Sequence, residues 1–270
     1  MPELPREPHN LPVRTGKTAG SRRTGMPDST EAARLIPPAG GIVVVPVTGI
    51  GEVTRTTDLA AMIASNATLS DGDVVVVTQK IVSKAEGRMV DIDPEDADAK
   101  RRLVESESVR ILRRRGGLLI SETQHGFICA NAGVDLSNVP DGWAALLPVD
   151  SDRSARKIRE RLRAITGATV AVIVSDTFGR AFRRGVVDVA IGCDGVAAIL
   201  DLRGTTDANG RELVATEMCI ADEIASAAEL VMGKDRGVPV AIVRGIDPAW
   251  LRRSSVAEEI TRPASEDLFR

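Results

Sequence analysis

The sequence predicts a mixed α/β fold, sheets with flanking helices, on three observations. Short continuous apolar runs recur at residues 41–47, 74–77, 170–174 and 239–245, and runs of this length suit strands buried on both faces. Helical patterns lie between them. Ala155, Ile158, Leu162 and Ile165 recur at three- and four-residue spacing, as do Ile220, Ile224, Ala227 and Val231, which puts each set on one stripe of a helix. Turn signals such as Asp71-Gly72-Asp73 and Cys193-Asp194-Gly195 punctuate the remainder. With no internal repeat and no long linker, residues 39–250 read as one domain.

In chain order, residues 1–38 are rich in Pro, Arg, Thr and Gly without apolar periodicity and read as a flexible tail. After the first strand, TGIGEV offers bare glycine backbone to a ligand, though it lacks the third glycine of a dinucleotide fingerprint. Thr57 is the expected cap of a helix through Leu59, Met62 and Ile63, ahead of the strand at 74–77. TQKIVSKAEG then sets Lys80 and Lys84 four apart, on one face of a helix. Residues 95–115 favour helix and stop at Gly116-Gly117. Apolar runs at 118–120 and 127–130 follow, and the second delivers Asn131, Asp135 and Asn138 in a glycine-containing loop. His125 has no partner at metal-ligand spacing and reads as a hydrogen-bonded structural residue. Ser151 or Asp152 caps the helix that leads into the strand at 170–174. Short strands and hairpins are expected through 186–212 and a helix over 216–232, ended by Gly233. From Asp247 the chain is expected to lie across the surface, with 251–270 as a C-terminal extension.

Composition excludes several classes. Against 38 acidic residues stand 35 basic ones, Tyr is absent and aromatics are 2%, so there is neither a basic field nor a stacking platform for nucleic acid. Cys129, Cys193 and Cys219 are odd in number and never form a C-x-x-C pair, which suits buried thiols in a reducing cytoplasm. No apolar run is long enough to span a membrane, and no apolar stretch follows the N-terminal arginines as in a signal peptide.

The chemistry concentrates at strand ends. Asp176 closes the run at 170–174, Thr177 can join it around a hard cation, and Arg180, Arg183 and Arg184 are forked donors that match phosphate oxygens. Asp135 is a second carboxylate of the same kind. Lys80 and Lys84 lie directly beyond a buried strand, where phosphates are held, although such a pair also makes an ordinary solvated face. An Asp-Thr pair at a strand end can likewise be a simple Asx turn. No G-x-x-x-x-G-K-[ST] is present, so a nucleoside triphosphate would bind outside a P-loop. The inventory of cation ligands and anion donors is that of phosphoryl transfer. No covalent carrier is evident: the three cysteines sit in apolar or turn contexts, and there is no G-x-S-x-G elbow.

Five stretches, QKIVSKAEG, HGFICANAGVDLSNV, LLPVDSDRSARKIRERL, VSDTFGRAFRRG and VMGKDRGVPVAIVRG, stand in one order between Val44 and Gly245. Together they resemble the coenzyme F420-0:L-glutamate ligase family. The ending RPASEDLFR resembles the close of the ligase part of the two-domain actinobacterial form, so a single-module ligase is the expectation. The resemblance implies an F420 ligase-like fold of mixed sheets and flanking helices, in an intertwined, two-lobed homodimer. It further implies amide ligation of L-glutamate to F420-0 with GTP and Mn2+ or Mg2+, and K+ as a further cation. Carried over by residue, Asp135, Asp176 and Thr177 would hold metal. The backbone of Thr48, Gly49 and Ile50 would contact GTP together with Gln79, Lys80, Lys84, Asn138 and the segment Met232, Gly233 and Lys234. Asp135, Asp176, Arg183 and Arg184 would serve the transfer itself. Lys234 departs from the archaeal form, which has a metal-binding glutamine there, and the departure bears on the number of metals. Two other readings stay open: a non-catalytic module that holds a deazaflavin or nucleotide for a partner enzyme, and a related ligase for another carboxylic acid.

Overall fold

The computed structural model describes residues 40–267; the tail expected over 1–38 lies outside the described residues. In chain order the elements are β1 (Val43–Pro46), α1 (Leu59–Asn66), β2 (Val74–Thr78), α2 (Gln79–Glu86), β3 (Met89–Asp91), α3 (Ala99–Ser106), β4 (Ser108–Arg115), β5 (Leu118–Thr123) and β6 (Ile128–Ala130). They continue with β7 (Trp143–Ala145), α4 (Ser151–Thr166), β8 (Ala171–Gly179), β9 (Val186–Asp194), β10 (Leu200–Asp201), β11 (Glu217–Met218), α5 (Ile220–Met232), β12 (Val240–Arg244) and α6 (Val256–Glu259).

The four apolar runs of the sequence all enter one five-stranded sheet of order β1-β12-β2-β8-β9. Its parallel pair, β2 with β8, sits between antiparallel neighbours. Val75, Val77, Val172 and Val174 pack with Ile63 of α1 and with Ile158 and Leu162 of α4. From the other face, Val74, Val76, Ala171 and Ile173 pack with Ile224, Ala228 and Met232 of α5. Both faces are therefore covered, which is why the central strands are continuously apolar rather than alternating. Each valine so buried contributes about 2 kcal/mol as an upper figure. A separate smaller core, with Val104, Leu119, Val134 and Leu146, holds together α3 and the small sheets β3-β7 and β4-β5-β6.

Several local expectations change. The stretch 95–115 is helical only over Ala99–Ser106; Ser108–Arg115 is β4, paired antiparallel with β5. Gly116-Gly117 is thus the two-residue turn of a hairpin, with Gly116 at φ 57°, instead of a helix end. Pairing with β5, and ion pairs such as Arg110–Glu122 at 3.0 Å, outweigh the helix propensity of Arg and Leu. Asp58, one residue past Thr57, caps α1 through the Ala61 N–H at 3.0 Å. Asp150 caps α4 through the Arg153 N–H at 2.8 Å. Asp152 is buried instead, and its carboxylate accepts the backbone N–H of Cys193, Val256 and Ala257 at 2.8, 2.8 and 3.0 Å. Residue 192 must be glycine here, since a Cβ would lie 2.3 Å from the Ser151 carbonyl carbon. The helix expected from 216 begins at Ile220, because Glu217 and Met218 pair with β10. The end of the chain is also not simply superficial: Ser254, Ser255 and Val256 are buried against the sheet-and-helix body. No helix among the described residues is long and apolar enough to cross a membrane.

Candidate functional site

Two loops and a helix build one side of the site. Where β2 ends, α2 begins at once, so Gln79 and Lys80 form its first turn and Lys80 and Lys84 share a face. Lys80 reaches the loop after β6, where its ammonium contacts Asp135 Oδ2 at 2.8 Å and donates to Ser137 Oγ at 2.9 Å. The other Asp135 oxygen accepts the Ser137 N–H and hydroxyl at 2.7 and 2.8 Å. Burial opposes the Asp135 charge, but Lys80 and Ser137 outweigh it and hold its pKa below the usual carboxylate range. Lys84 turns to the opposite loop and pairs with Glu52 at 2.6 Å. That loop contains Thr48, Gly49 and Ile50. Gly49 has φ 80°, and a Cβ there would come 2.5 Å from Asn66 Oδ1, so glycine is required for the close turn. The structure thus gathers the Thr48–Ile50 loop, Lys84, Lys80 and Asp135 around α2.

Strand β8 builds the other side. It does not stop before Asp176 but runs to Gly179, because β9 extends as its hairpin partner, with Asp176 opposite Val189 and Thr177 opposite Asp188. Alternation along β8 places Asp176 on the face shared by Val174, and Ser175 and Thr177 on the face of α5. There Asp188, 1% exposed, accepts the hydroxyls of Ser175 at 3.0 Å and Thr177 at 2.7 Å. Lys234, just past the end of α5, donates to Asp188 at 2.7 Å, pairs with Glu229 at 3.0 Å and contacts the Thr177 hydroxyl. Burial disfavours the Lys234 charge, yet these acceptors raise its pKa above that of an ordinary lysine.

Asp176 is the carboxylate left in deficit. It makes no ion pair among the described residues. Burial pushes it up to about 7, the Thr177 N–H offsetting part of the effect, and the charges of Asp135 and Asp188 raise it further against the pull of Lys234. Asp135 is already neutralised by Lys80, so Asp176 is the carboxylate that a hard cation would relieve, and Asp135 and Asp176 are the oxygen ligands that Mg2+ or Mn2+ would take there. No three His, Cys, Asp or Glu side chains among the described residues converge as a cage. The Thr177 hydroxyl does not stand free for this, being engaged by Asp188 and Lys234.

The remaining expected residues divide. Gln79 is 1% exposed, and its amide donates to Ser83 Oγ and to the Leu146 carbonyl at 2.7 and 2.8 Å, so its side chain is structural. Met232 packs in the α5 core, and the N–H of Gly233 bonds back to the Glu229 carbonyl. Asn138 is exposed at φ 51°, a left-handed conformation that asparagine tolerates. Arg183 and Arg184 sit at the exposed tip of the β8–β9 hairpin without an ion pair among the described residues. At strand rise the tip lies roughly 10–20 Å beyond Asp176. His125 hydrogen-bonds the Pro148 carbonyl at 2.8 Å, as a structural residue should. Sequence reasoning missed Ser175, Asp188 and Glu229; the available signal was a charged residue inside the apolar strand VVDVAIG. Burial pushes the thiols of Cys129 and Cys219 up to about 12 and raises Cys193 as well, so none is a ready thiolate. A groove of about 210 Å³ bordered by Arg159, Thr169 and Arg252 lies at the opposite end of β8, and Asp194 and Glu259 already engage those arginines.

The chain is thus a mixed α/β protein whose candidate site holds two carboxylates, Asp135 and Asp176, two lysines on one face of α2 and a glycine loop. The chain belongs to the family described as F420-0:Gamma-glutamyl ligase, which it matches over residues 49–245. It is 43% identical over 245 residues to a coenzyme F420:L-glutamate ligase of Methanothermobacter thermautotrophicus, covering 85% of this chain and 97% of that protein. A protein of the same name from Methanopyrus kandleri is 45% identical over 230 residues, covering 79% and 91%. A third, from Methanocaldococcus jannaschii, is 40% identical over 217 residues, covering 75% and 86%.

Proposed function

We propose that this chain is a GTP-dependent ligase that joins L-glutamate to coenzyme F420-0, and can add further γ-linked glutamates, in coenzyme F420 biosynthesis. The observation that carries this reading is Asp176, a part-buried carboxyl raised to about 7 by burial and by the charges of Asp135, which Lys80 contacts at 2.8 Å, and Asp188. The names of the relatives support the choice of substrates.

A carboxylate is a poor electrophile, so amide formation needs it activated. The precursor's carboxylate oxygen attacks the γ-phosphorus of GTP, the bond to GDP breaks, and an acyl phosphate forms. Lys80, Lys84, the Thr48–Ile50 backbone, Asn138, Gly233 and the backbone of Gln79 and Met232 hold the nucleotide. Asp135 and Asp176 hold Mn2+ or Mg2+, which supplies charge neutralisation at the phosphates. Arg183 and Arg184 close over the transferring group from the hairpin tip. The glutamate amine then attacks the acyl carbon, phosphate departs and the amine proton goes to solvent. With all three cysteine thiols raised by burial, none is a ready thiolate to carry the acyl group. The same reading includes a homodimer, which sedimentation checks, and a site of action in the reducing cytoplasm.

The test is mass spectrometry after incubation with F420-0, GTP, Mn2+ and L-glutamate: a product heavier by one or more glutamyl units is expected. Without glutamate, hydroxylamine should trap a hydroxamate of the coenzyme. Label retained on the protein, or binding of deazaflavin with no product, would overturn the proposal, the latter in favour of a non-catalytic binding module.

A further inference from the structure

We infer that Phe182, at the tip of the β8–β9 hairpin, is the platform on which the planar deazaflavin ring of the coenzyme precursor stacks. The inference rests on the ligase reading for the identity of the ring, but the argument that this side chain meets a ligand stands on the backbone.

The tip is the connection 180–185 between the paired ends Gly179 and Val186. The Arg183 N–H returns to the Arg180 carbonyl at 3.3 Å and closes a turn over 180–183. Of the two central residues only Phe182 has a positive φ, 60°. That makes a type II turn, whose second central position calls for glycine or asparagine. The other non-glycine residues at positive φ among those described are Asn131, Ala132 and Asn138. Asparagine tolerates the left-handed region and alanine is small, so Phe182 is the one bulky side chain held there. The tip is tied further by Arg180, whose guanidinium donates to the Arg184 carbonyl at 2.6 Å.

The fold recovers nothing for this strain. Phe182 is 98% exposed, whereas Phe127 and Phe178 pack against the core and meet edge to face with centroids 6.0 Å apart. A single exposed apolar residue is ordinary. An exposed aromatic on a strained backbone is not, and outliers of this kind cluster at ligand clamps. A rigid ring held out in water suits a flat partner.

Length selects which flat partner. In the precursor, the reacting carboxylate and the ring are the two ends of a ribityl phosphodiester chain of about ten single bonds, roughly 12 Å when extended. At strand rise the hairpin tip stands roughly 10–20 Å beyond Asp176. A precursor whose carboxylate lies beside Asp176 therefore reaches the tip with its ring. Arg183 and Arg184 follow Phe182 directly, and their arms are long enough to reach back towards the phosphates.

The test is fluorescence titration, since the deazaflavin ring reports its own binding. Wild type, Phe182→Gly and Phe182→Tyr are titrated with F420-0 and with its ring-bearing ribityl fragment, which lacks the phosphodiester. Phe182→Gly is expected to weaken the binding of both probes about tenfold or more, and Phe182→Tyr to stay within about threefold of wild type. Calorimetry with a non-hydrolysable GTP analogue should give one affinity for all three proteins. Phe182→Gly should melt close to wild type, relief at this φ offsetting the looser unfolded chain. Unchanged ring affinity in Phe182→Gly, with F420-0 still turned over by wild type, overturns this inference and leaves the ligase reading standing. A wild type that binds the GTP analogue but neither deazaflavin probe overturns both. An equal loss of GTP-analogue affinity in Phe182→Gly would assign the ring to the nucleotide base and overturn the inference. So would a Phe182→Gly protein that sediments as a smaller species yet binds the ring as wild type does, which would make Phe182 a contact between copies.

Discussion

The two faces of β8 treat the same kind of residue in opposite ways. On the α5 face, Asp188 is saturated, with two hydroxyls and the Lys234 ammonium on its oxygens. On the other face, Asp176 is part-buried, raised to about 7 and has no ion-pair partner among the described residues, although Asp135 nearby is satisfied by Lys80. A chain that can place an ammonium against one carboxylate and not against its neighbour across the strand has separated a structural charge from a working one. The first holds the hairpin to α5; the second stays short of positive charge, which is the condition for taking up an ion.

This contrast can be broken in stages. The largest effect is expected for Asp176→Asn and Asp135→Asn, each of which should lower ligation by about a thousand-fold or more, or about 4 kcal/mol of transition-state stabilisation. Turnover assays at saturating Mn2+ check this, and near-normal rates would remove the residue from the site. Stability should split the two. A folded-state pKa of about 7 against an unfolded value of about 3.9 means that the folded metal-free chain binds the extra proton. Ionised Asp176 therefore costs stability increasingly as pH rises between these values, and fully above 7. Metal-free Asp176→Asn should melt higher than wild type at pH 8, with the gain shrinking towards pH 4. Asp135→Asn should instead cost under about 1 kcal/mol, since it gives up only a partly exposed pair.

Next in size, Asp188→Ala should destabilise by about 3 kcal/mol, because it strips a buried carboxylate from two hydroxyls and an ammonium. Urea unfolding measures it, and a loss below about 1 kcal/mol would place Asp188 outside the scaffold. Smaller still, Lys84→Ala should weaken GTP binding about tenfold, near 1.4 kcal/mol, with a larger factor at low salt. Calorimetry with GTP and with the deazaflavin separates the two ligands; equal GTP affinity in wild type and variant excludes Lys84.

The same contrast marks what could be read in the chain. The continuous valine runs announced the doubly covered sheet, because a strand with no polar face has only one way to be stable. Asp135, Asp176 and the α2 lysines were visible since each follows such a run. Asp188 was hidden because its partners, Ser175 of β8 and Glu229 and Lys234 at the end of α5, come from two other segments, and only β8–β9 pairing and the packing of α5 bring them together. Tertiary pairing likewise decided 108–115, whose arginines look helical alone. The fate of 254–256 depended on Asp152, over 100 residues away.

The sheet order carries a consequence for how the molecule is made. Val43 of β1 pairs with Arg244 of β12, and β12 itself lies between β1 and β2. On a ribosome, the first strand therefore waits for nearly the whole chain before it has a neighbour, and the loop at 48–50 waits with it. Long-range pairing of this kind slows folding, so assembly of the candidate site should be among the last events after synthesis, and a truncated chain should hold no partial version of it.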